Sequence, residues 1–320
     1  MTVLEVLARR QEQGPDDGGA RVALVLEGGG SRATFSAGMA AAVEDLGLTP
    51  LLDDVYGVSA GSLNAAWLVA GKAREAMAPW TSRSVMRGTI DPRRVLRGGR
   101  VVDLEHLVEH VYVHEAPMPF ATILASPVTY HPMATDAATG DSTDLAPLLD
   151  GPPALRRALQ ASSTLPVLAG PPVPFAGRRW VDGGLSEPVA VHTALANGAT
   201  HLVVLRTHPG AHAPAEPPGV VDVIVRRWLR RHAPGVVDAW FHRVERARAT
   251  EALLAELEAD GRVLHVRPPD DAPAVSRTST DLGLLAEALR VGHEAASRAL
   301  EPLTPQQAPP GPTGRGTSRC

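Results

Sequence analysis

Gly57-Val58-Ser59-Ala60-Gly61 stands between a short apolar run, residues 51–56, and an alanine-rich run, residues 62–70. A serine on a sharp strand-to-helix turn needs neighbours without side chains, or the two backbones collide. The helix that follows aims its N-terminal amides at the serine oxygen, which favours an oxygen that becomes anionic. The pattern therefore predicts a strand, an elbow and a helix. A turn that merely uses small residues would look the same over five positions, so the rest of the chain must decide.

Residues 21–26 (R-V-A-L-V-L) form a continuous apolar run, the pattern of a strand buried on both faces. Residues 33–46 read as a helix, 51–56 as the second strand and 59–70 as the second helix. This alternation predicts an α/β fold with a parallel sheet and helical crossovers. Further strands are expected within 127–135 and at 179–181, 201–206 and 263–266. Helices are expected at 101–113, 153–162, 189–196, 220–232, 236–260 and 282–300. Residues 1–20 are read as a polar leader and 21–301 as one domain, with 209–260 as a helical insertion or C-terminal extension. Residues 302–320 are rich in Pro, Gly, Thr and Gln and are expected to be disordered.

With 44% hydrophobic residues and 4% aromatics, the core must be built from Ala, Leu and Val. The balance of 31 basic and 35 acidic residues gives a formal net charge of -4 and offers no nucleic-acid footprint. The single cysteine, Cys320, permits no intramolecular disulfide. Residues 1–20 hold no apolar signal segment, and no run approaches the ~20 apolar residues of a membrane span. A cytoplasmic protein is expected.

Glu27-Gly28-Gly29-Gly30-Ser31-Arg32-Ala33 follows the first strand directly. One reading is a dinucleotide fingerprint, Gly28-x-Gly30-x-x-Ala33, with Glu44, Asp45 or Asp53 as the ribose acid of an oxidoreductase. The other is an anion hole, in which consecutive glycine amides converge on one oxygen beside Arg32. Loops at the carboxyl ends of neighbouring parallel strands lie side by side, so the second reading joins this loop to Ser59 in one site.

A serine nucleophile needs a base. Ser59, Asp136 or Asp182, and His208 could form a triad. Asp182 before Gly183 and Gly184 could instead act alone, because desolvation raises a carboxylate's pKa and makes it a better base. Asp-Gly is also a common turn dipeptide. His131, Asp136, Asp141 and Asp144 lack a calcium-loop pattern and read as a solvated acidic turn, so no metal is expected.

Taken together, these blocks resemble the patatin-like phospholipase family. Gly28-Gly29-Gly30-Ser31-Arg32 is similar to its G-G-G-x-R-G oxyanion loop, Gly57–Gly61 to its nucleophile elbow, and Asp182-Gly183-Gly184 to its D-G-G/A block. Residues 161–166 (A-S-S-T-L-P) resemble its A-S-x-A-x-P segment. The match runs from 21 to 207 and more weakly to about 298. The resemblance implies a three-layer α/β/α fold with a mainly parallel central sheet. It also implies a Ser59-Asp182 dyad without histidine, an oxyanion hole at Gly28, Gly29, Gly30 and Arg32, and hydrolysis of phospholipid, lysophospholipid or acylglycerol esters without a cofactor. Gly57, Gly61, Gly183 and Gly184 would support these residues. Ala33 departs from the family's glycine. If that position needs positive φ or close approach, its methyl group would distort the loop and leave a non-catalytic, lipid-binding relative as a further reading.

Residues 226–232 (R-R-W-L-R-R-H) read as a surface helix with solvated arginines and a buried tryptophan. Peripheral contact with anionic lipid is the alternative. The oligomeric state is left open.

Overall fold

The computed structural model describes residues 1–14, 19–210 and 219–303. Eight strands form one sheet: β1 (Val22–Leu26), β2 (Asp54–Val58), β3 (Thr129–Asp136), β4 (Ser142–Asp144), β5 (Val173–Phe175), β6 (Arg178–Asp182), β7 (His201–Leu205) and β8 (Val263–Val266). Their order is β5-β6-β3-β2-β1-β7-β8, with β4 also paired to β3. The pairs among β3, β2, β1, β7 and β8 are parallel. Those of β6 with β3 and β5, and of β4 with β3, are antiparallel.

The helices are α1 (Val3–Gln13), α2 (Thr34–Asp45), α3 (Ala60–Val69), α4 (Met77–Thr81), α5 (Arg83–Thr89), α6 (Phe120–Leu124), α7 (Pro152–Ser163), α8 (Val191–Ala196), α9 (Gly219–His232), α10 (Val236–Phe241), α11 (Arg243–Ala259) and α12 (Leu282–Ala299). The sheet is the middle of three layers, and β1 shows why. Val22, Leu24 and Leu26 pack on one face with Phe35 and Met39 of α2, Leu63 of α3 and Leu285 of α12. Ala23 and Val25 pack on the other with Val191 of α8 and Leu254 of α11. A strand with period-two side chains and helices on both faces must be apolar throughout, as this one is.

Several expectations shift. Residues 3–13 of the expected leader form α1, capped by a reciprocal Thr2–Glu5 box. Val3, Val6, Leu7 and Arg10 bury one helical stripe. Its charged face masked that spacing in the sequence. Arg10 is buried because Nη1 donates to Leu51 O and Asp53 Oδ2 while Nη2 donates to Ala20 O. The second strand starts at Asp54, after a 3-10 turn at Thr49–Leu51, and runs through Gly57 and Val58. The 101–113 helix becomes a π-helix, His106–Glu115, and the 236–260 helix breaks at His242. The chain stays packed past residue 301. Leu303 is buried and its carbonyl accepts from Gln11 Nε2. Residues 304–320, Cys320 among them, and most of the 209–219 loop lie outside the described residues. Among the described residues no helix is long and apolar enough to cross a membrane.

The acidic turn also differs from expectation. His131 lies between Asp54 (Nε2 to Oδ1, 3.1 Å) and Asp144 (Nδ1 to Oδ2, 2.7 Å), stacked 4.1 Å over Tyr56. Asp54 also takes two bonds from Arg21. Asp136 is buried, caps Ala138 N and pairs with Arg178. Only Asp141 is exposed. Among the described residues no His, Cys, Asp and Glu cluster could hold a metal ion.

Burial alone would lower the His131 pKa, but the two flanking carboxylates prevail and raise it to about 8. The stabilisation from its charge is complete below the unfolded value of about 6.5 and is lost as pH rises through about 8. Thermal melts of wild type and His131→Gln should therefore differ more at pH 6 than at pH 9. An equal difference at both pH values would contradict this.

Candidate active site

Ser59 follows β2 and caps the N-terminus of α3. Its backbone has φ 55, a region that non-glycine residues rarely enter. Packing leaves little choice. A Cβ on Gly61 would stand 2.6 Å from Leu26 O, and one on Gly57 would stand 2.4 Å from the Ser62 Cα. The elbow is thus wedged against the end of β1 on one side and its own helix on the other. Such strain costs on the order of 1–3 kcal/mol and persists only where the surroundings over-determine it. Two bonds help. The Ser59 N–H donates to Ser162 Oγ at 3.1 Å, and its Oγ donates to Asp182 Oδ2 at 2.6 Å.

Asp182 ends β6 and is fully buried. Its Oδ1 accepts from the Gly184 N–H at 2.8 Å. Its own N–H donates to Thr164 O, and its carbonyl accepts from Thr135 Oγ1. Gly183 opens a single 3-10 turn pressed against Met133 O. Burial raises the Asp182 pKa to about 6. The bonds from Ser59 and Gly184 and the nearby Arg277 charge oppose that rise without cancelling it. His208 lines the same chamber, but the serine hydroxyl is bound to Asp182.

The glycine loop leaves β1 beside the elbow. Positive φ falls at Gly29 (146) and Gly30 (58), whereas Ala33 has φ -64 and is buried. The methyl group at position 33 therefore fits an ordinary helical conformation, and the anticipated distortion does not arise. Asn64 Nδ2 donates to Ala33 O and ties the loop to α3. Glu27 turns towards β7, where it accepts from Arg206 Nε and the Thr207 N–H. Thr207 Oγ1 in turn donates to Gly28 O. Arg277 closes the other side, its carbonyl accepting from the Ser31 N–H at 2.8 Å. Among the described residues no backbone acceptor holds the amides of Gly28 or Gly29. Arg32 lines the chamber, and burial together with the neighbouring Arg277 lowers its pKa to about 10.

The dinucleotide reading fails on geometry. Asp53 precedes β2, at the opposite end from the loop, and binds Arg10 and the Val22 N–H. Asp45 pairs with Arg74 and His293, and Glu44 accepts from Ala73 N–H. None stands at the carboxyl end of β2, where a ribose would lie.

Two cavities meet at Ser59. A chamber of about 390 Å³, with mixed apolar and charged walls, is lined by Gly28–Gly30, Arg32 and Asp182, with Leu185, Val189, Trp240, Arg243 and Arg277 and the Arg206-bound carboxylates Glu27 and Glu251. An apolar slot of about 70 Å³ runs between Leu63, Trp80, Met86, Ile90, Leu107 and Tyr112. Gly30, Ser59, Leu165 and Arg277 border both. Gly57, Gly61 and Gly183 lie behind these walls as packing positions. Sequence reasoning did not identify Arg277, Asn64, Thr207 or the part played by Ser162. Only Ser162 lay in a stretch with a signal, the 161–166 segment.

The family model described as Patatin-like phospholipase matches residues 24–195. The uncharacterized protein YjjU of Escherichia coli K12 is 32% identical over 195 residues, covering 59% of this chain and 52% of the relative. The match therefore spans about half of that relative's length. The crystal structure of VipD from Legionella pneumophila aligns with a TM-score of 0.42 at 11% identity, covering 88% of this chain and 67% of that one. With more than half of its length matched by the family model, on an α/β/α fold with a mainly parallel sheet, the chain belongs to the patatin-like phospholipase family.

Proposed function

We propose that this protein hydrolyses lipid esters through an acyl-Ser59 intermediate, with Asp182 as the base. The observation that carries this reading is the 2.6 Å bond from Ser59 Oγ to a buried carboxylate, placed where an apolar slot meets a larger chamber of mixed apolar and charged walls. Ser59 Oγ attacks the ester carbonyl carbon and its proton passes to Asp182 Oδ2. The carbonyl oxygen becomes an oxyanion, held by the amides of Gly28, Gly29 and Gly30 beside Arg32. The C–O bond then breaks, and the departing alcohol takes the proton from Asp182. Water attacks the acyl-serine, its proton goes to Asp182, and the serine oxygen recovers a proton as the fatty acid leaves.

The two cavities suit the two halves of such a substrate. The slot walls offer an acyl chain mainly aliphatic and aromatic surface near Ser59. The chamber, with Arg32, Arg243 and Arg277, suits a polar alcohol carrying phosphate. This supports a phospholipid or lysophospholipid over an acylglycerol. Every step uses a side chain or backbone group of this chain, so no cofactor is required.

Ser59→Ala and Asp182→Asn should each lower kcat/KM on a soluble p-nitrophenyl ester by at least about 1000-fold. His208→Ala should leave it within about threefold of wild type. Loss in His208→Ala with turnover retained in Asp182→Asn would overturn the dyad.

Because the folded Asp182 binds its proton more tightly than the unfolded one, the native state loses stability as pH rises from 3.8 to about 6, and the loss is complete above that. Asp182→Asn should therefore melt at pH 8 no lower than wild type, and circular dichroism melts measure this directly.

The base must be ionised. Turnover should therefore rise about tenfold per pH unit below about 6 and level off above it. A pH–rate profile already flat at pH 4 would exclude a buried carboxylate as the base.

A further inference from the structure

Helix α9 breaks the usual pattern of a surface helix. Its inner face is conventional, with Val225 and Leu229 packed against Val236 and Ala239 of α10. On the opposite face Val220, Val223 and Ile224 are 74%, 65% and 49% exposed. At ~100° per residue they share that face with Arg227, Arg230 and Arg231, all exposed. The outer surface is thus aliphatic over residues 220–224, about one and a half turns, and cationic over residues 227–231. Phe241, at the end of α10, is 45% exposed beneath the Arg226 guanidinium, 4.2 Å from its ring centre. Five of the ten strongly exposed large apolar side chains among the described residues fall within 220–241. This is a cluster rather than the ordinary scatter of single residues.

The cluster is fixed to the active site. Asp222 of α9 accepts from Trp240 Nε1 at 2.8 Å, and Trp240 and Arg243 line the chamber beside Ser59. Asp222 is the only acidic residue of α9, and it is held by Trp240 and Arg226. Among the described residues no carboxylate pairs with Arg227, Arg230 or Arg231.

We propose that the outer face of α9, with Phe241, docks on a lipid bilayer rich in anionic headgroups and so presents the chamber to its substrate. Aliphatic side chains entering the acyl boundary, with guanidiniums level with the phosphates, match what a helix lying in such an interface requires. The aliphatic stretch spans about one and a half turns, ~7 Å. Its four exposed aliphatic side chains fall far short of the about 20–30 residues that each partner gives a stable protein interface. The inference goes beyond the hydrolase reading and does not depend on the chemistry of Ser59.

The test is co-sedimentation of the full chain with vesicles of equal parts phosphatidylglycerol and phosphatidylcholine, against phosphatidylcholine alone. Wild type and Ser59→Ala should both bind the anionic vesicles and bind neutral ones far less. Val223→Asp with Ile224→Asp should weaken binding at least about tenfold. Arg227→Glu with Arg231→Glu should weaken it by at least about tenfold, and rising salt should mimic this loss in wild type. Both double variants should keep wild-type melting curves and wild-type turnover of a soluble ester. Equal vesicle binding by variants and wild type would overturn the proposal, as would no binding by wild type. A wild-type dimer in light scattering that Ile224→Asp dissolves would also overturn it, since the face would then be a self-interface. Soluble-ester turnover keeps this result separate from the fate of the hydrolase reading.

Discussion

Ser59 has a backbone conformation that an L-residue adopts only under constraint, and the constraint comes from the meeting of β1, β2 and α3. Gly61 lies under the carbonyls of Leu26 and Glu27 with no room for a methyl group. The first residue after β2 must therefore turn sharply. Once it does, its side chain faces the carboxyl edge of the sheet, where the loops after β1 and β6 also arrive. The buried Ser59–Asp182 bond follows from this arrangement, and so does the approach of the glycine loop. The helical dipole of α3, the positive φ values at Gly29 and Gly30, and the anchoring of Gly28 by Thr207 then bear on one small volume.

Under the proposed mechanism, burial gives Asp182 its chemistry and also its cost. In water a carboxylate is too weak a base for a serine hydroxyl. Enclosed, with one bond from Gly184 and one from Ser59, its pKa rises to about 6. The same burial destabilises the ionised fold, so activity and stability pull in opposite directions at this residue. The fold gains elsewhere. At the far end of the parallel strands, His131, Asp54, Asp144 and Arg21 form a buried charge network in which the His131 contribution to stability has the opposite pH sense from that of the ion-paired Asp54 carboxylate.

Elements whose signal is local were legible in the sequence. The central strands are apolar along their whole length, and the elbow and glycine loop carry residues that few other structures require. The sequence pattern starts the second strand too early because residues 51–52 are apolar yet belong to a turn. The pentapeptide's own Gly57 and Val58 looked like turn residues but are the strand's end. α1 is hidden by Glu5, Arg9 and Glu12 outside its buried stripe and by the charge of Arg10 within it, although that stripe has helical spacing. Arg277 could not be found from local pattern. It sits in an irregular segment more than 200 residues beyond the loop it covers, and only tertiary packing brings Ser31 to its carbonyl. Asn64 and Thr207 were missed for the same reason. Each acts through hydrogen bonds to residues distant in the chain, which leave no periodicity.

The central claim is that Ser59 is a nucleophile activated by Asp182. The most direct measurement is covalent labelling by a fluorophosphonate probe, followed by peptide mass spectrometry across pH. The account predicts a single adduct on Ser59, formed at a rate that rises through about pH 6 and is nearly lost in Asp182→Asn. An adduct on another residue, or labelling of Ser59 at an undiminished rate in Asp182→Asn, would contradict it.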